Sequence, residues 1–112
     1  MVTTSGDLVR WVKALYEGKV IKPSSIALMT QGVPAKTGPG EKYGLGCQIR
    51  PSDFGETWGH NGWFPGWLSD VEYFPKLKIA IAVQFNSDKP SASGRYFRAI
   101  EADIAKVFCA AD

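Results

Sequence analysis

The chain is short of the residues from which most catalytic centres are built. It has one histidine, His60, and two cysteines, Cys47 and Cys109, far apart in 112 residues. A metal centre needs several His, Cys or carboxylate ligands at close spacing, which this set does not supply. No metal or cofactor is therefore expected, and the two cysteines read as free thiols acting as small apolar residues. No serine has a lysine three positions later, and no Gly-x-Ser-x-Gly elbow occurs. Either pattern would have marked an activated serine nucleophile. A phosphate-cradling glycine loop is also missing, since Pro39 in Gly38-Pro39-Gly40 removes an amide donor.

Charge and hydropathy exclude further classes. The formal net charge is +2, and the lysines and arginines do not cluster, so no nucleic-acid partner is expected. No apolar run approaches the ~20 residues of a membrane span, so no membrane partner is expected. The N-terminal residues are polar and lack the basic and apolar regions of a signal peptide, which as written places the chain in the cytoplasm.

What is present suits one folded domain over residues 1–112, with 45% apolar and 21% charged residues. Thr4 and Asp7 resemble a capping box. Leu8, Trp11, Val12 and Leu15 follow as one apolar stripe, and Gly18 is a stop. Pro23 opens a second, shorter helix whose buried side is Ile26, Ala27 and Met29. Residues 32–40 form a loop rich in glycine and proline. Strands are expected at 43–49, 57–61, 67–74 and 79–85, with turns at 51–55 and 75–78. The apolar run Ile79 to Phe85 reads as a central strand covered on both faces. The short links favour antiparallel hairpins. Ser91 or Ser93 can cap a last helix with Phe97, Ile100, Ile104, Val107 and Phe108 on its apolar side. The fold class is α+β: an antiparallel sheet of about four strands with N-terminal and C-terminal helices packed on it.

Two short motifs invite a chemical reading. Lys36-Thr37-Gly38 matches a motif of penicillin-recognising enzymes, but it lies in the loop, away from any strand pattern. The stretch Gly59-His60-Asn61-Gly62 has two readings. In one, His60 caps a turn or fills a gap among Trp58, Trp63 and Trp67. In the other, the stretch ends a strand beside a cleft, His60 donates to a substrate carboxylate or carbonyl, Gly62 lets a ligand backbone approach, and the Trp63 amide faces an oxyanion.

Taken in order, these pieces resemble the C-terminal part of class C beta-lactamases and the related serine D-alanyl-D-alanine carboxypeptidases and esterases. MVTTSGDLVRWVKALYEGKVIKPSSIALM is similar to the family's capped helix and the short helix after it. YGLGCQI is similar to its Tyr-Gly-Leu-Gly-Trp strand, with Cys47 where an aromatic is common. WGHNGWFPGWLSDVEYFPKLKIAIAVQFN is similar to its Gly-His-x-Gly strand, the proline-ended strand and the apolar strand ending in asparagine. The resemblance implies that His60, Asn61 and Gly62 bind substrate at the third motif. It also implies that His60, Gly62 and the Trp63 amide form the oxyanion and recognition side of an acyl pocket.

The family's Ser-x-x-Lys and Tyr-x-Asn motifs do not occur in these residues. On that ground the chain is expected to be inactive alone. A homo-oligomer with Trp11, Val12 or the 79–85 strand at the contact is expected, because the family's sheet has N-terminal strands that cover one edge; a complementary N-terminal fragment is the other expected partner. A small acyl compound or D-alanyl peptide is the expected ligand. A non-catalytic assembly protein, or a ligand-binding module on the same sheet, are the alternatives. The family is often periplasmic or secreted.

Overall fold

Thr4 caps the first helix by accepting the Asp7 amide at 3.1 Å, and α1 runs Ser5–Tyr16. Gly18, just beyond, takes the left-handed φ of 76° that turns the chain away. Pro23 opens α2, Pro23–Met29. The computed structural model describes residues 2–89 and 95–111, so the expected caps Ser91 and Ser93 lie outside the described residues. The final helix, α3, is Arg95–Ala110. Between α2 and α3 come β1 (Val33–Pro34), β2 (Lys42–Tyr43), β3 (Gln48–Ser52), β4 (Gly55–Phe64), β5 (Trp67–Phe74) and β6 (Ile79–Phe85). They form one antiparallel sheet in sequence order. The chain has the expected α+β fold.

Alternation divides the sheet into two unlike faces. Ile49 pairs with Trp58 and Trp58 with Tyr73, so these share the face covered by α1 and α2. There Val12, Tyr16, Ile26, Cys47, Ile49 and Tyr73 form the main apolar core. Tyr16 stacks on Tyr73 at 5.6 Å and tilts against Trp58 at 5.4 Å. Burial, and then its bond to Cys47 Sγ at 3.0 Å, holds the Tyr16 phenol protonated far above its ordinary range.

The opposite face carries Gln48, Arg50, Thr57, Asp70 and Glu72 in its middle and an apolar cluster of Phe74, Ile81 and Ala105 at one end. α3 lies against β6 on this side, with Phe97 5.0 Å from Phe85. Arg50, only 2% exposed, reaches both oxygens of Asp70 at 3.0 and 3.1 Å and lies 3.6 Å from Glu72. Burial opposes its charge, but Asp70 and Glu72 outweigh that and raise its proton affinity. Thr57 donates to Glu72.

Several expectations need correction. The sheet has six strands, not about four, because 43–49 is a hairpin rather than one strand. Gly44 N donates to Cys47 O at 2.7 Å and Gly46 adopts φ 69°, so the chain reverses between β2 and β3. β4 extends past the expected 57–61 in both directions, and Pro51 lies within β3 rather than in the turn. β6 is met by helices on both faces, as its apolar run suggests, but it is the outermost described strand rather than a central one. Trp11 is 55% exposed, Ala27 is exposed, and Val107 and Phe108 point to solvent. Val12 is buried in the core, which removes it as a contact for a partner. Cys47 is buried, whereas Cys109 is exposed and fills no apolar site.

Glu101 of α3 is as completely buried as Ala105 of the same helix. Its side chain is fully enclosed, and among the described residues neither carboxylate oxygen accepts from a donor; the neighbouring Glu72 carboxylate is the acceptor for its proton. Burial, then the Asp70 and Glu72 carboxylates, push its pKa up to about 10 from an ordinary 4.5. The folded state therefore keeps a proton that the unfolded chain loses above about pH 4.5. Stability from this group is fully present below that pH and falls as pH rises toward 10. Glu101→Gln keeps the shape and removes the titration. By urea denaturation, the variant and the parent should be about equally stable near pH 4. The variant should gain on the parent by up to about 1.4 kcal/mol per pH unit above that. Parallel stability curves across this range would contradict the assignment.

Candidate functional site

The four residues singled out by sequence, His60, Asn61, Gly62 and Trp63, lie consecutively on β4 beyond its pairing with β3, which ends at Gln48 opposite Gly59. From there β4 pairs only with β5, through His60–Val71, Asn61–Asp70, Gly62–Ser69 and Trp63–Leu68. The other edge of 60–64 faces no strand among the described residues. The Asn61 amide points to this edge, donating to Gln48 Oε1 at 3.3 Å. Backbone groups two residues apart in an antiparallel strand face the same neighbour. The Trp63 amide therefore faces the same open edge, past the end of β3.

His60 is exposed on the face that also carries Trp58 and Gly62. Its Nδ1 meets the Asn61 carbonyl oxygen, which can only accept, so Nδ1 carries a proton. In the neutral ring Nε2 is then the acceptor for the Tyr43 hydroxyl at 2.8 Å, with the two rings edge to face at 5.7 Å. Both ring nitrogens are thus engaged within the chain, and a ligand reaches Nε2 only when Tyr43 swings away. His60 neither caps a turn nor sits among the tryptophans. Trp58 belongs to the core beneath α1, and Trp63 and Trp67, with Phe64, stand out at the β4–β5 hairpin, 58–71% exposed.

Asn61 points to the opposite face. Gln48 Nε2 donates to Asn61 Oδ1 at 3.0 Å, and Gln48 Oε1 also accepts from Arg50. A chain of polar contacts therefore joins the site strand to the buried Arg50–Asp70 pair. Sequence reasoning missed both Tyr43 and Gln48. The available signal was the polar alternation of Gln48 and Arg50 with Cys47 and Ile49, but its partner residues are fixed only by strand pairing.

The Lys36-Thr37-Gly38 tripeptide lies in the β1–β2 loop, as expected, and is remote in the sheet order from β4. Thr37 donates to Glu41, which also pairs with Arg98 of α3. Burial raises the Glu41 pKa, but the Thr37 and Arg98 contacts dominate and hold it below the ordinary carboxylate range. Among the described residues, no group of three or more His, Cys, Asp or Glu side chains is placed to hold a metal ion. No described helix is long and apolar enough to cross a membrane.

An antiparallel sheet with a Gly-His-Asn-Gly strand at an open edge, and helices on both faces, is the setting for the comparisons with known proteins. Residues 1–106 match the beta-lactamase family, and the chain belongs to it. A solved D-stereospecific amidohydrolase from Streptomyces sp. is similar in fold, with a TM-score of 0.69 and 31% identity over 77% of this chain. The chain spans 26% of that protein's length. No curated protein matches at a significant level.

Two glycines in β4 differ in what they protect. A Cβ on Gly59 would run into the Val71 carbonyl, which the backbone pairing holds in place. A Cβ on Gly62 would lie 2.8 Å from Ser69 Oγ, which can rotate. Gly59→Ala should cost about 1–3 kcal/mol in urea denaturation, as overpacking does. Gly62→Ala should cost less than Gly59→Ala. The reverse order would contradict the packing described for β4.

Proposed function

We propose that the chain forms the recognition side of the acyl-transfer site of a beta-lactamase-like serine hydrolase, of the class C or D-alanyl-D-alanine carboxypeptidase kind. The nucleophile comes from a Ser-x-x-Lys segment outside these 112 residues, and the chain by itself does not hydrolyse. The observation that carries the reading is the open edge of β4, where the Trp63 amide is available to an oxyanion beside the small Gly62. An amide preset at a developing negative charge stabilises the transition state, and such donors are worth about a hundredfold or more in rate. The similarity to a D-stereospecific amidohydrolase supports a D-configured amide as the substrate class. In this reading His60 faces the ligand after Tyr43 moves, and Asn61 lines the other side of the edge.

A second observation favours association. β6 pairs with β5 along one edge and has no strand on its other edge among the described residues, and an apolar strand with an open edge is a template for another strand. A complementary N-terminal segment of the same family is the reading we adopt. A second copy of this chain, with Trp11 at the contact, is the competitor.

Mixing this chain with an N-terminal family fragment that carries Ser-x-x-Lys should restore nitrocefin or ester hydrolysis, and His60→Ala should weaken it. Light scattering on the chain alone should show a monomer. A formed complex that stays silent would reject complementation, and a stable homodimer that excludes the fragment would favour the assembly reading.

A further inference from the structure

The open edge is useful only if its groups point in one direction, and β4 has lost its neighbouring strand where this matters. Beyond Gly59 no strand of the described residues holds that side. In its place a single side chain does the work of a strand. The Gln48 carboxamide takes the Asn61 backbone amide on its oxygen and gives its own N–H to Asn61 Oδ1. The first bond replaces the acceptor that a paired strand would have offered to the Asn61 amide; the second fixes the Asn61 side chain, while the Asn61 backbone carbonyl is met by His60 Nδ1. Gln48 is itself buried, and its oxygen is held by Arg50, whose other terminal nitrogen clasps Asp70 on β5. Asp70 is the strand partner of Asn61. The loop of contacts closes on itself: Asn61 to Gln48, to Arg50, to Asp70, and back across the β4–β5 ladder.

We propose that Gln48, fixed by Arg50, is a positioning residue for the ligand edge. It occupies the Asn61 backbone amide at the edge and sets the rotamer of the Asn61 side chain. With Oδ1 committed to Gln48, the two hydrogens on Asn61 Nδ2 are the groups left to offer. Asn61 is thereby presented as a donor, suited to a carbonyl or carboxylate oxygen and unsuited to an N–H. With the Asn61 amide occupied by Gln48, the Trp63 amide is the next backbone donor along this edge. The ligand consequence rests on the reading of this edge as the recognition side, whereas the positioning itself does not.

Two variants separate these contacts. Gln48→Leu removes both bonds to Asn61. Gln48→Glu keeps two acceptor oxygens for Arg50 and for the Asn61 amide, but its carboxylate cannot donate to Asn61 Oδ1. Amide hydrogen exchange by NMR on the whole chain should show the Asn61 amide accelerated about tenfold in Gln48→Leu, the scale of one lost hydrogen bond. In Gln48→Glu the same amide should exchange close to the parent rate. The Asn61 side-chain NH₂ resonances should move, because the amide turns its hydrogens toward the carboxylate. Where Gln48→Leu does not fold, the Gln48→Glu pair of readouts decides alone. Unchanged Asn61 side-chain resonances in Gln48→Glu would overturn the proposal, as would an unchanged Asn61 amide in a folded Gln48→Leu. Uniform acceleration along β4 in either variant would also overturn it, since that marks lost sheet stability rather than lost positioning. N-acetyl-D-alanyl-D-alanine is the ligand probe. A parent protein whose Asn61 and Trp63 signals ignore it would reject the recognition reading and leave the exchange result to judge Gln48.

Discussion

A single positive charge in the middle of the sheet organises the rest. Arg50 is almost completely enclosed, and a guanidinium there is tolerated only because Asp70 takes it with both oxygens and Glu72 lies beside it. The planar fork suits this geometry in a way an ammonium would not. Removing either partner leaves a buried charge unmatched. The three strands β3, β4 and β5 are therefore held in register by side chains as well as by their backbone ladders.

Everything polar on that face follows from the same constraint. Thr57 donates to Glu72, and Gln48 accepts from Arg50, whose buried Nε has no hydrogen-bond partner among the described residues. Arg50 faces three carboxyl groups, Asp70, Glu72 and Glu101, and Arg98, which also acts on Asp70, is already paired with Glu41, so ionising all three would leave excess negative charge in a poorly solvated space. Glu101 resolves the imbalance by keeping its proton. The other face, with Tyr16, Trp58 and Tyr73 packed ring on ring, supplies the ordinary apolar burial. The site strand runs between these two environments. One side of β4 shows His60 and Gly62, and the other shows Asn61, tied to the charged network.

Much of this was legible from the residues. β5 and β6 fall where alternation and the apolar run place them, and α1 starts at its cap, because each signal is local. The consecutive site residues His60 to Trp63 were legible for the same reason, since one strand carries them all. Tyr43 against His60 and Gln48 against Asn61 were not, because each contact joins positions 17 and 13 residues apart and depends on where the β2–β3 hairpin turns. The polar positions of β3 and β5 are buried, and the cover that α3 gives them could not be inferred from their own pattern. The same cover explains why Glu101 is enclosed while the apolar Val107 and Phe108 are exposed. The helix meets the sheet through the side that carries Phe97, Glu101 and Ala105. Its last turns are left out in solvent.

The central claim is that the Arg50–Asp70 contact holds the three middle strands together. Urea denaturation of Arg50→Met beside the double variant Arg50→Met/Asp70→Asn tests it most directly. The single change should cost about 3–5 kcal/mol, because it strands buried carboxylates, and the double variant should recover a substantial part of that loss. A single variant as stable as the parent, or a double variant that loses the sum of the separate costs, would contradict the account.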